Sequence, residues 1–360
     1  MTRSSSISSK AKESGSPPAR LASARAGSRK LAATRRLKAT PATGKQHRPV
    51  TTSKTWSKAK PIVLDQHATV DDALAVIVTA CRDHWRTNQT SAEARHPEGT
   101  HQVRVALRRL RSALSAFKKY IPPVQKEWFN TEAKWLLSQL GVARDLDVFI
   151  DNLTAPVAEH VSENAELAQV MRAARALQTR AHESAAKALR SPRATRLSAR
   201  LDAWVTGRGW RLSDDDSVRD GRETTALEFA QRLVNRRLRN IREDYKDVDT
   251  LTVLQRHELR IAVKKIRYNV EFFHTLLPAK RAARLSDILK DLQDNLGHLN
   301  DISVAERTVA SLVNDAGSGL ERRQIVAGGN AIGAWHKHAA RTAEPETAKL
   351  WRKFKKVRAF

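Results

Sequence analysis

The chain has 360 residues and carries 65 Lys and Arg against 38 Asp and Glu, a formal charge of +27. A single cysteine, Cys81, excludes a disulfide scaffold or a zinc finger and points to a reducing compartment, and no run of about 18 apolar residues is present to span a membrane. Aromatic residues are only 5% of the chain, which favours helices over strands, and the charge calls for a polyanionic partner: nucleic acid, an anionic membrane surface or a phosphate polymer.

Residues 1–60 hold 15 Lys and Arg and one acid, Glu13, so about half of the basic excess sits in one-sixth of the chain. This Ser-, Ala- and Thr-rich stretch has no apolar periodicity and reads as a disordered basic tail that adds sequence-independent affinity for polyanions, including nonspecific contact with nucleic acid. It has no apolar core of a secretory signal, although its composition overlaps with that of organelle transit peptides. From residue 61 onward the apolar steps of three and four predict helices over 69–88, 99–120, 124–140, 145–190 with a break near Pro156, and 193–205. After a polar hinge from Gly207 to Gly221 come 223–245, 252–276, 280–296, 301–314, 319–340 and 344–358, with no convincing strand.

The ordered part contains a repeat. HQVRVALRRLRSALSAFKKYIP from His101 to Pro122 aligns with HELRIAVKKIRYNVEFFHTLLP from His257 to Pro278 at an offset of 156, and the register continues through Leu140-Gly141 with Leu296-Gly297, Asp145 with Asp301, and Val148 with Val304. About a quarter of positions 101–148 are identical to their partners. Two halves follow, about 61–206 and 222–360.

On a helical wheel, Val103, Ala106, Leu107, Leu110, Leu114, Phe117 and Ile121 form a core face, as do Leu259, Ala262, Val263, Ile266, Val270, Phe273 and Leu277. The opposite sector holds His101, Arg104, Arg108, Arg111 and Lys119 in the first copy and His257, Arg260, Lys264, Arg267 and Tyr268 in the second, with Arg109 and Lys265 on the flanks. An ordinary solvated face interleaves acids at i+4; here little acid intervenes, and each like-charge pair costs a few tenths of a kcal/mol. The stripe is either an anion-binding surface or a plain solvated face, and its occurrence twice at equivalent places favours the former. Its mix of guanidinium forks and mobile ammonium groups suits a flexible linear polyanion. In the junctions LGVARDLDV and LGHLNDISV, Gly141 and Gly297 read as left-handed helix ends, with Asp145 and Asp301 at the following helix starts, where they also orient basic residues of the signature helices. Arg144 extends the basic surface. Arg232, Arg236, Arg237, Arg239 and Arg242 offer a further one.

The two H-x-x-R-x-x-x-[RK]-[RK]-[LI]-R helices, the two L-G-x-x-x-D junctions and a closing segment with Gly333, Trp335, Trp351 and Phe354 resemble the CHAD family, the conserved-histidine α-helical domain, over roughly residues 60–360. The resemblance implies an all-α fold of two four-helix bundles about a pseudo-twofold axis, with a basic groove that binds inorganic polyphosphate, often on polyphosphate granules in the bacterial cytoplasm. By position it implies contacts from His101, Arg104, Arg108, Arg111, His257, Arg260, Lys264 and Arg267, with Arg109, Lys265 and Arg144 beside them. The E-x-E-x-K signature of the triphosphate tunnel domain often fused to this family is absent, as are a Walker A loop and metal-ligand spacings around His336 and His338. The expectation is therefore a noncatalytic binding protein with no cofactor. The alternative is a nonspecific nucleic-acid-binding protein that uses the basic tail and helices.

Overall fold

A computed structural model describes residues 56–360, apart from 162, 163, 213, 214, 318 and 359 and the side chains of 299 and 300. The expectation of disorder for residues 1–55 lies outside the described residues. Residues 56–60, assigned to the same tail, include an anchor: Ser57 donates its N–H to Asn88 Oδ1, and Asn88 Nδ2 donates back to the Ser57 carbonyl.

The described chain is all-α. The first half comprises α1 (Val70–Glu93), α2 (Pro97–Ala116), α3 (Pro123–Gln139), α4 (Gly141–Val148), α5 (Ala155–His160), α6 (Ala165–Leu189) and α7 (Pro192–Thr206). After α8 (Asp216–Glu223) come α9 (Ala226–Asp244), α10 (Val253–Phe272), α11 (Ala279–Asn295), α12 (Gly297–Asp315) and α13 (Gly319–Lys355). The 156-residue offset carries both ends of α2 onto α10 and of α3 onto α11, and the starts of α1 and α4 onto those of α9 and α12. Equivalent residues also meet. The Val70 N–H donates to Thr224 O at 2.9 Å, and the Ala226 N–H donates to Ala68 O at 2.8 Å. Each bond is the image of the other under that offset, as residues beside a local twofold axis must be. Phe117 and Phe273, also equivalent, lie with ring centroids 6.0 Å apart, and Phe229 packs on both.

Caps set the helix starts. Thr69 and Asp72 form a capping box on α1, Thr252 and Gln255 form one on α10, and Thr225 caps α9. The apolar core is not divided between the halves. One cluster joins α1, α2 and α3 to α9, α10, α11 and the end of α13, while a smaller one joins Phe149, Leu153 and Val170 to Val304, Ile325 and Ile332. At the smaller cluster α13 crosses α6 and α12 over Gly328 and Gly329, where a Cβ would stand 2.8 Å from Glu166 O and 2.5 Å from Val309 Cγ1.

Several sequence expectations are corrected. Gly141 and Gly297 are not left-handed caps, since no glycine of the described chain has a positive φ. Leu140 and Leu296, both in the right-handed region, end one helix and begin the next, so the chain turns without a left-handed residue and Asp145 and Asp301 sit a turn inside α4 and α12. The helix predicted over 145–190 is interrupted by a π-helical stretch, Phe149–Thr154, before α5 and α6. The two C-terminal helices are one, because α13 continues through Pro345 despite the backbone bond that proline forfeits; Thr347, Leu350, Trp351 and Phe354 are buried just beyond it.

The supposed hinge at 207–221 is a clamp. Arg208 turns left-handed at φ 47°, a conformation costing about 1 kcal/mol, and leads into a short 3-10 turn, Gly209–Arg211. There the carboxylate of Asp71, 1% exposed, accepts from Trp210 Nε1 and Arg211 Nη2, each at 2.7 Å, and from Arg208. Burial alone would push the Asp71 carboxyl up, but the Arg211, Trp210 and Arg208 hydrogen bonds outweigh it and hold it below its usual range. Asp71→Ala strands the buried Trp210 donor and should cost about 3 kcal/mol in urea unfolding. Asp71→Asn keeps one acceptor and should cost less. Because the carboxyl is depressed in the folded state, its contribution is present above the unfolded value of about 4 and lost as pH falls through the lower folded value, so the gap between wild type and Asp71→Asn should close on acidification.

Candidate functional site

Helix α2 is packed by α1, α3, α4 and α10, so the polar sector of its wheel is not a solvent face. Arg104 is only 7% exposed and donates from Nη1 to the Leu137 carbonyl at the end of α3, while its Nε has no partner. A Cβ on Gly141 would stand 3.5 Å from that Nη1, so the glycine leaves room for the guanidinium. Burial and the neighbouring Arg108 push Arg104 down to about 10, against the pull of Asp145. His101, half-buried, is pushed down to about 4 by burial and by Arg144, Arg108 and Arg104. It is neutral at physiological pH. Arg144 lies between this histidine and Asp147, its Nη1 3.9 Å from that carboxylate. Asp147 accepts from His182 Nε2 and Gln178 Nε2, each at 2.8 Å.

Arg109 does not reach an anion site. It is 2% exposed, donates to Glu271 of α10, and lies 5.4 Å from the Phe272 ring centroid. It is a cross-link inside the core, and its partner lies 162 residues away.

The remaining basic residues converge. A cleft of about 650 Å³ opens between α2, α3 and α10. Arg108 and Arg111 line it from α2, and His257, Arg260, Lys264 and Lys265 from α10. Lys118, Lys126, Asn130 and Tyr268, which the sequence did not single out as ligand contacts, complete it, and Glu127 is the carboxylate of the lining. Nothing in the spacing of the signature helices could mark Lys126 or Asn130, because they reach the cleft from α3. A smaller cleft sharing His257 and Arg260 continues to Ser303 and Arg307 of α12. Arg267 does not line the cleft; its guanidinium lies against the Tyr268 ring at 5.7 Å.

Among the described residues, Arg108, Arg111, Arg260, Lys264 and Lys265 make no ion pair within 4 Å. Arg111 donates from Nε to Asn130 Oδ1 at 2.8 Å. Arg260 is pushed down by burial, against the pull of Asp301, as Arg104 is against Asp145 in the equivalent place. Lys264 is pushed down to about 7 by burial and by Arg260, Arg108, Arg267 and Arg104. Lys265 is lowered by burial and by Arg237 and Arg111. Arg108 acts on residues of both signature helices, which places it where the two stripes meet. The second basic surface expected on α9 is largely engaged: Arg232 pairs with Glu228, Arg239 with Glu243, Arg237 donates to Ser115, and Arg242 holds the Val357 carbonyl.

The CHAD domain model matches residues 76–310. The chain belongs to the CHAD domain family. The match contains both signature helices and both junctions; the closing segment with Trp335, Trp351 and Phe354 lies beyond it. The crystal structure of the CHAD domain from the plant Ricinus communis is similar, with a TM-score of 0.71 and 25% identity over 85% of this chain and 99% of that one. PptA from Streptomyces chartreusis shares the fold at a TM-score of 0.58 and 15% identity, over 79% of this chain and all of that one. An uncharacterized protein of Mycobacterium tuberculosis, from two strains, is 28% identical over 224 residues, and the match spans 59% of this chain and 42% of that protein's length. Among the described residues of this CHAD chain, no helix is long and apolar enough to cross a membrane.

An uncompensated buried ammonium opposes folding. Lys264 binds its proton less well in the folded protein than in the unfolded chain, so the unliganded protein should gain stability as pH rises from about 7 towards the usual lysine range. Lys264→Met should remove that rise and raise the urea midpoint at pH 7. In ¹³C-labelled protein the Lys264 side chain should titrate near 7, and Arg108→Ala should move its midpoint upward.

Proposed function

We propose that the chain binds inorganic polyphosphate in the cleft between α2 and α10 and does so without chemical turnover. The observation that carries this reading is the convergence of unpaired cations from two helices on one cleft with a single carboxylate in its lining. Such crowding costs stability in the empty protein, and an anion that threads between the stripes offsets it. Phosphate units in series present equally spaced charges to Arg307, His257 and Arg260 at one end and to Lys264, Arg108 and Arg111 further in. Arg260, Arg108 and Arg111 offer forks to non-bridging oxygens, and the lysines offer point charges. Lys264, with its proton held weakly, takes up a full proton when a phosphate arrives, so binding is coupled to proton uptake near pH 7. His101, Arg104 and Arg144 lie behind this surface and set its potential. Arg109 has no part in contact, and Arg267 sits at its margin. Residence on polyphosphate granules in the cytoplasm follows from such avidity.

Titration of the full chain with long-chain polyphosphate, duplex DNA and pyrophosphate tests this. Polyphosphate should bind tightly, with an affinity that falls steeply with salt, and DNA should compete poorly. Arg108→Ala, Arg260→Ala and Lys264→Ala together should weaken polyphosphate binding by at least about 100-fold and flatten the salt slope by about one per lost contact, with unfolding curves showing a folded protein. Equal affinity for DNA, or no loss in the triple variant, would replace this reading with nonspecific polyanion binding through the basic residues of 1–60.

A further inference from the structure

The local twofold leaves one place unmatched. A second pocket, of about 370 Å³, opens where the end of α2 meets α8 and α9, lined by Lys118, Lys119, Arg232 and Arg236 over Tyr120 and Phe229. Lys118 also lines the main cleft, so the two openings adjoin at its side chain. The 156-residue offset carries the four cations onto His274, Thr275, Val76 and Ala80. That image is filled. The Leu64 N–H donates to Thr275 Oγ1 at 3.0 Å, and the Thr275 hydroxyl donates to the Leu64 carbonyl. Ile62 and Leu64 are buried there, and residues 61–63 run beside Val76 and Ala80. The stretch equivalent to 61–64 is 217–220, which is part of α8 and packs on α1. The pocket between Lys119 and Arg236, both exposed, stays open. Two carboxylates border it: Glu228 pairs with Arg232 at 3.2 Å, and Asp215, which acts on Lys119, is engaged in capping α8. Among the described residues, Lys118, Lys119 and Arg236 make no ion pair within 4 Å. Cations gathered where the image has one histidine and three uncharged residues cost stability, and an anion offsets that cost.

We propose that this pocket is a second phosphate subsite, and that a polyphosphate chain long enough to pass Lys118 occupies it together with the cleft. Arg232 and Arg236 present guanidinium forks to non-bridging oxygens, and Lys118 and Lys119 supply point charges along the way. Tyr120 and Phe229, both buried, close the floor, so the anion is partly withdrawn from water and its contacts gain strength. The second contact of a bridging chain is intramolecular, and its effective concentration multiplies the affinity of the cleft. A chain confined to the cleft gains nothing. The inference rests on the reading that the cleft binds polyphosphate; what it adds is selection for length, set by Lys119 and Arg236 outside the cleft.

The test compares long-chain polyphosphate with tripolyphosphate on the full chain by calorimetric titration. Lys119→Thr with Arg236→Ala gives these two exposed positions the residue types of Thr275 and Ala80. The double variant should bind long chains at least about 10-fold more weakly, with a salt slope flatter by about two, and should bind tripolyphosphate as the wild type does. A control, Arg175→Ala with Lys187→Ala, removes the same charge from exposed positions of α6 that line neither opening, and should change neither affinity. Unchanged long-chain binding in the double variant, an equal loss with tripolyphosphate, or an equal loss in the control would overturn the inference. The triple variant of Arg108, Arg260 and Lys264 separates it from the reading it rests on. Long-chain binding lost in that variant but kept in the double overturns the subsite and leaves the cleft reading standing. Binding lost in the double but kept in the triple sinks the cleft reading, and the bridging chain with it.

Discussion

Everything at the cleft depends on the packing of α2 against α10. The facing stripes of the two helices are basic, and left alone they would repel. They are held by what lies behind them. Phe117, Phe229 and Phe273 pack against one another in tilted and edge-on contacts, and Arg109 crosses to Glu271. Full burial of one such aromatic ring stabilises by roughly 1.5–3 kcal/mol, and a ring pair adds about 1 kcal/mol. A surface like-charge pair costs only a few tenths. The core therefore wins, and it fixes the guanidinium and ammonium groups where solvent cannot fully screen them. The energy of that constraint is available to any anion that relieves it.

The 156-residue offset relates the two walls of the cleft, and differences between equivalent residues make those walls unlike. Arg104 and Arg260 occupy equivalent positions, each under the influence of an equivalent aspartate. Yet Arg104 is closed in behind α3, while Arg260 lines the open cleft. His101 is half-buried beside Arg144, and His257 is exposed. Arg109 is locked to Glu271, whereas its counterpart Lys265 faces solvent. Helix α10 thus lines the cleft with His257, Arg260, Lys264 and Lys265, and α2 supplies Arg108 and Arg111 together with fixed charges behind them.

Much of this was legible in the sequence where the signal is periodic. The apolar wheel of 101–122 and 257–278 located α2 and α10 and sorted their core residues, because a helix shows its buried face every three to four residues. The offset of 156 carried the junctions and the all-α architecture with it. What failed was whatever a single wheel cannot express. A wheel divides a helix into two faces, but α2 is covered on most sides, so Arg104 and Arg109 are buried while their spacing marks them as exposed or flanking. Lys126 and Arg307 approach from other helices at no fixed spacing. The Asp71 clamp joins residues about 140 apart and has no local pattern, so a polar stretch that looked like a hinge is one of the better-bonded parts of the chain. The glycines misled for a related reason: glycine permits a left-handed residue without requiring one, and Gly141 is needed for the space it leaves to Arg104.

The cleft also distinguishes its cations by role. An arginine keeps its proton in almost any surroundings, so Arg108, Arg111 and Arg260 form a permanent field. A lysine in that field does not, and Lys264 sits where burial and four guanidinium groups bring its proton affinity to the physiological range. The charge of the empty cleft is thus not fixed. It falls as pH rises through about 7, which limits the self-repulsion the core must withstand. A surface made only of arginine would bear its full repulsion at all times. One made only of exposed lysine would gain nothing from burial. Placing a titrating amine among permanent charges makes the cost of the folded state smaller than the count of basic residues implies, and it ties the pH response of the cleft to Lys264.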